Sequence, residues 1–268
     1  MTIDIEILQF LHYHPLANRI EIMAGLMETP SGSTVKRLLS AAVKEGNIET
    51  VGRGPSTKYR LTPQAHVTMP LDLATYFDKD IDARVVQESF NFDITREVLP
   101  KVEIFTKEEL SVLFAAQKEF EKNTEGMTDL EYHKEMERLG VDLSWKSSQI
   151  EGNTYSLLET ERLLKDKQTA SGKTKEEAIM LLNHKDALDF VLDVPDSLKE
   201  LSVHRIEDIH SILTKELGVD RNIRHRRVGI TGTNYRPLDN EFQIREALED
   251  TCTLVNGKDN VFEKAILT

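Results

Sequence analysis

One motif constrains the fold more than any other: Ser or Thr, two residues, then Glu, just ahead of an apolar run. Thr106-Lys107-Glu108-Glu109 precedes Leu110, Leu113, Phe114 and Phe120, and Thr128-Asp129-Leu130-Glu131 precedes Tyr132, Met136, Leu139 and Leu143. Ser156-Leu157-Leu158-Glu159 precedes Leu163 and Leu164, and Thr174-Lys175-Glu176-Glu177 opens a longer run through Ala178, Leu181, Leu182, Leu188 and Leu192. In such a box the hydroxyl accepts from the backbone of the third helical residue, whose side chain reaches back to the cap, so two orphan donors are met. The apolar residues recur at helical spacing, which makes this part of the chain a set of amphipathic helices. Ser202 starts another, carrying Ile206, Ile209, Leu213 and Leu217 as far as Gly218. Asn240 starts one through Ile244, Leu248, Cys252 and Val255, with Gly257 as its stop. Asn260 opens a last run with Phe262, Ala265 and Ile266 that meets no stop signal before Thr268, so the pattern predicts a continuation missing from this sequence.

The first 66 residues read differently. Ile5, Leu8 and Leu11 share a helical face that Pro15 ends, and Asn18 can cap a second helix with Ile20, Ile22, Met23 and Leu26. Ser31 or Ser33 caps a third, with Val35, Leu38, Leu39, Ala42 and Val43, closing at Gly46. Two β-prone runs, 47–51 and 57–61, flank Gly52-Arg53-Gly54-Pro55 and predict a hairpin. Three helices and a hairpin form the winged-helix pattern. There the third helix enters the DNA major groove and the hairpin touches phosphates. Lys36, Arg37 and Lys44 on the helix and Arg53, Lys58 and Arg60 on the hairpin are the candidate DNA-binding cations. The same charges could instead simply solvate a protein-contact module. Residues 67–100 read as a connecting segment, followed by the helical domain over 101–268. The fold class is therefore mainly α, with a small α+β domain in front.

Whole-chain properties narrow the function. A net charge of −12 argues against global attraction to nucleic acid or an anionic membrane, leaving only local basic patches. The single cysteine, Cys252, excludes an intrachain disulfide and a multi-cysteine metal site. No apolar stretch approaches membrane-spanning length and no basic leader is present, which points to a cytoplasmic protein with no membrane partner. Walker A, dinucleotide-binding, nucleophile-elbow and HExxH motifs are absent, so the expected metal ligands are none. Glu176 and Glu177 sit in a helical first turn, where the dipole favours them, and need no further role.

Two features stand apart. In Ser147-Ser148-Gln149-Ile150-Glu151-Gly152-Asn153, Ser147 and Glu151 lie one above the other on a helix whose end Gly152-Asn153 suits. A carboxylate in a last turn opposes the macrodipole by about 0.3–1 kcal/mol and asks for a cation. Downstream, Arg221, Arg224, His225, Arg226 and Arg227 form the densest positive segment, followed by Val228-Gly229-Ile230-Thr231-Gly232-Thr233-Asn234-Tyr235-Arg236-Pro237. Its β-prone residues and glycines predict a hairpin whose edge could take a partner strand.

Together these stretches resemble Fic-domain proteins. Ser147, Glu151 and Gly152 match the pattern of the family's inhibitory helix, with Asn153 next to it, and 218–237 is similar to its flap region. The likeness covers roughly 100–268. It implies a multi-helix Fic-like domain with a β-hairpin flap that transfers AMP from ATP, with Mg²⁺, to a hydroxyl side chain of a target protein. Glu151 would then hold an active-site arginine away from the nucleotide, Ser147 would steady that helix, and Thr231, Gly232, Thr233 and Asn234 would lie along the nucleotide. Val228, Gly229, Ile230 and Tyr235 would clamp the target. The family's His-x-Phe-x-Asp/Glu-Gly-Asn-Gly-Arg-x-x-Arg motif does not occur, so no catalytic residue is assigned and the chain ending at 268 is expected to be inactive. Homodimerisation, a winged-helix DNA-binding regulator and a non-catalytic, protein-binding Fic remnant are the other expectations.

Overall fold

Ile7 and Leu11, four residues apart and essentially buried, centre the inner face of the first helix, α1 (Ile3–Tyr13), in a computed structural model that describes residues 3–27, 30–70, 73–78, 80–81, 84, 89–193, 199–220 and 223–268. The chain divides into two compact units, Met1–Thr106 with Gly229–Pro237, and Lys107–Val228 with Leu238–Thr268.

In the first unit, α1 is followed by β1 (Ala17–Asn18), α2 (Arg19–Gly25), α3 (Gly32–Lys44), β2 (Ile48–Val51) and β3 (Lys58–Leu61). The strands form one antiparallel sheet in the order β1-β3-β2. The short strand β1 carries no sequence signal of its own. It forms because Ala17 and Asn18 lie opposite Tyr59 and Lys58, and Asn18 then caps α2 through a full box with Glu21. Ile7, Leu11, Ile22, Val35, Leu39, Ile48 and Leu61 meet in the core. Ile20, expected inside, is 76% exposed, because Ile22 already fills the inner face of so short a helix.

The segment beyond 66 folds back onto this unit. Helix α4 (Pro63–Thr68) adds Ala65 to the core, and α5 (Leu73–Asp78) follows. The Gln64 side chain clasps the backbone of Glu103 in both directions, donating to its carbonyl at 2.8 Å and accepting its N–H at 3.2 Å. Met69, inside the segment read as a connector, is buried in the same core.

The second unit contains α6 (Lys107–Thr124), α7 (Asp129–Ile150), α8 (Leu157–Asp166), α9 (Lys175–Asp193), α10 (Val203–Leu213), α11 (Glu241–Asn256) and α12 (Val261–Leu267). The Thr128–Glu131 and Ser156–Glu159 boxes both close reciprocally. Packing departs from the apolar stripes. No residue of α6 is buried, and Phe114 meets Phe262 edge-on at 5.2 Å while remaining 47% exposed. On α7 the buried residues are Gly140, Val141, Ser144 and Ser148, whereas Leu139 and Leu143 are largely exposed. The reason is close approach to α9: a Cβ on Gly140 would sit 3.3 Å from both Leu188 and Lys185. Small residues let two backbones come together where leucines would hold them apart.

Helix α10 stops at Leu213, short of the expected Leu217. Buried Asn183 on α9 donates to the carbonyls of Leu213 (3.0 Å) and Lys215 (2.8 Å), taking the end of the helix out of the helical ladder. The hairpin expected over 228–237 does not form. Thr231 and Gly232 make a turn, and the segment's one bridge residue, Arg236, pairs in parallel with Ser89. Among the described residues no helix is long and apolar enough to cross a membrane. Arg221 lies outside the described residues.

Candidate functional site

Helix α7 ends in a Schellman turn. The N–H of Gly152 (φ +89°) reaches the Gln149 carbonyl at 3.0 Å, and the N–H of Asn153 reaches that of Ser148 at 2.9 Å. From there the chain is bolted down residue by residue. The Asn153 side chain donates to the Glu177 carbonyl (2.8 Å) and accepts from Tyr155 N–H (3.0 Å). Thr154 gives both its N–H (2.8 Å) and its hydroxyl (2.5 Å) to one oxygen of Glu177, while its carbonyl accepts from Lys173 at 2.6 Å. The Tyr155 carbonyl accepts from Trp145 Nε1 at 2.9 Å, and Tyr155 itself is 1% exposed. Ser156 N–H then reaches Glu159 at 2.8 Å. Each backbone N–H from Gly152 to Ser156 has a partner, which makes this turn a rigid platform.

Glu177 is the centre of that platform, contrary to its expected idleness. Its second oxygen accepts the N–H of Thr174 at 2.9 Å, closing a fourth capping box. Hydrogen bonds from the Thr154 hydroxyl, then from the Thr174 and Thr154 N–H groups, hold its carboxyl down at about 2, against an ordinary 4.5. The Thr174-x-x-Glu177 spacing reveals only half of this; the Thr154 contact comes from the preceding loop and has no sequence signature.

Glu151 caps α7 and is exposed on this platform. Among the described residues, no cation lies within ion-pair distance of its carboxylate. Its charge reaches half-buried His184 on α9, whose pKa burial lowers and Glu151 raises. Ser147 lies part-buried on α7, one turn before Glu151. The buried serines are its neighbours Ser144 and Ser148, whose hydroxyls have no protein partner among the described residues.

The second expected feature is pinned at its base. Arg224 donates to the Leu238 carbonyl, His225 Nδ1 lies 2.9 Å from Glu241, and Arg227 Nε lies 2.7 Å from Asp239. These contacts join the two ends of the 228–237 loop. Within it, Thr233 Oγ1 accepts from Tyr235 N–H at 3.2 Å, and Val228, Gly229, Ile230, Thr231, Gly232 and Asn234 are exposed. Gly229–Pro237 clusters with the first unit, whereas Glu151 and Val228 belong to the second. Cys252 is a buried apolar chain packed with Val203 and Ile223.

Among the described residues no three His, Cys, Asp or Glu side chains converge as a metal site. Comparison with known proteins finds no matching family model, no matching curated protein and no matching solved structure.

Proposed function

We propose that the helical unit is the regulatory part of a Fic-type protein AMP-transferase, with a winged-helix domain in front of it. The observation that carries this reading is Glu151, a carboxylate displayed on a rigid turn with no ion pair among the described residues. Such a group competes with phosphate for a guanidinium fork. In this reading the arginine belongs to the His-x-Phe-x-Asp/Glu-Gly-Asn-Gly-Arg-x-x-Arg motif, which is not among these 268 residues. The residues around Glu151 do not form a triphosphate site by themselves. ATP and Mg²⁺ would depend on that motif, and no catalytic step is assigned to this chain. The parallel pairing of Arg236 with Ser89 supports a strand-addition role for the 228–237 segment, because its edge already accepts an extended residue. Thr231, Gly232, Thr233 and Asn234 would then lie beside nucleotide, and Val228, Gly229, Ile230 and Tyr235 against a target hydroxyl segment.

The test compares Glu151 with Glu151→Gly in a form of the protein that carries the motif, using ATP labelled on the α-phosphate. Self-labelling rises at least about tenfold in the variant if Glu151 withholds about 1.4 kcal/mol or more of productive binding. Equal labelling of two active proteins would sink the inhibitory role.

A further inference from the structure

Two histidines from distant parts of the chain meet at the edge of the first unit's core. His12 is in the last turn of α1 and His66 is on α4, with ring centres 5.9 Å apart and planes at 58°. Neither backbone is free to drift. Leu11 and Ala65, the residues just before them, are buried in the same apolar cluster, so the core fixes both helices where the imidazoles leave them. His12 is part-buried, and its Nδ1 is closed to solvent and has no hydrogen-bond partner among the described residues. Tyr13 stands edge-on to the His12 ring at 4.9 Å, a packing contact that leaves this nitrogen unmet. A shielded polar atom without a partner carries a desolvation cost that a ligand could relieve.

A metal ion answers this geometry. Imidazole nitrogen binds Zn²⁺ at about 2.0–2.1 Å, and an ion held by one nitrogen of each of two rings sets their centres about 5–6.5 Å apart. The observed 5.9 Å falls inside that window. Metals take the neutral imidazole. Burial first, and the nearby His12 second, lower the pKa of His66, which favours that form. Imidazole suits Zn²⁺, Ni²⁺ and Cu²⁺, whereas Mg²⁺ and Ca²⁺ demand oxygen. Among the described residues no third His, Cys, Asp or Glu converges here, so water would complete the coordination shell and the site would stay open.

We propose that His12 and His66 form a two-histidine site for a divalent transition-metal ion. Because β3 leads straight into α4, a bound ion staples the end of the sheet to the first helix. The site is independent of the Fic reading.

The test follows the histidine side-chain nitrogens by ¹⁵N NMR as Zn²⁺ is added to the whole chain. The His12 and His66 signals shift together and saturate at one ion per chain. His66→Gln weakens the His12 response at least about tenfold, the scale of losing a fixed partner at a metal site. His14→Gln leaves it unchanged, because that ring packs on Phe10 instead. Neither substituted side chain belongs to the core, and circular dichroism checks the fold. An unchanged His12 response in folded His66→Gln would overturn the proposal. So would an equal loss in His14→Gln, an equal response to Mg²⁺, or no shift of either ring in the parent under a large excess of Zn²⁺.

Discussion

The arginine run at 224–227 and the scattered cations of 36–58 carry comparable charge and finish in opposite states. Three of the four residues of the denser run are internally engaged: Arg224 on a carbonyl, His225 on Glu241, Arg227 on Asp239. The sparser set has no ion pair among the described residues and sits over a core that holds its helix in place. Charge density along a sequence therefore does not measure charge available to a partner. What matters is whether folding brings carboxylates or carbonyls alongside. The same division separates two glutamates. Glu177 has both oxygens occupied by Thr154 and Thr174, while Glu151, at the other edge of the same platform, has no ion pair among the described residues.

Engaged groups should therefore matter to stability and unpaired ones to binding. The largest stability effect is expected at Arg224, which is half-buried with its guanidinium on the Leu238 carbonyl. Arg224→Ala should cost about 1.5–3 kcal/mol in urea denaturation, the range for a hydrogen bond to a charged group. Lys36→Ala should stay within about 0.5 kcal/mol, as exposed substitutions do. Equal effects would erase the distinction. Next comes the platform itself. Gly152 sits at φ +89°, so Gly152→Ala should cost about 1 kcal/mol and increase amide exchange at Asn153 and Thr154.

Glu177 supplies a pH-dependent version of the contrast. Its carboxyl is held at about 2 when folded, against 4.5 ordinarily. A lowered carboxyl pKa contributes stability that is fully present above the unfolded value and is lost as pH falls through the folded one. The melting temperature of the parent should therefore exceed that of Glu177→Gln at neutral pH. The gap should close between about pH 4.5 and pH 2, and a gap unchanged by acid would contradict the hydrogen-bond assignment.

Local chemistry made much of the fold legible. Caps at Asn18, Ser31, Thr128, Ser156, Ser202 and Asn240 start helices where hydroxyl or amide side chains precede apolar periodicity. The Gly52–Pro55 tip separates two paired strands. Glu151 at a helix end followed by a left-handed glycine was equally readable, because a Schellman turn is specified within a few residues.

Other features depend on residues far apart in sequence. The α7–α9 contact uses Gly140, Ser144 and Ser148 rather than the leucines, since backbone approach is decided by what the facing helix leaves room for. The 228–237 segment has strand-forming residues but no hairpin, because its ends are fixed by Arg224, His225 and Arg227 and its last bridge goes to Ser89. The sequence by itself determined where helices begin, which glycines turn, and which residues carry charge. Tertiary structure decided which of those charges find partners, because hydrogen bonds and ion pairs require closeness in space, and spacing along the chain predicts closeness only within a helical turn or a hairpin.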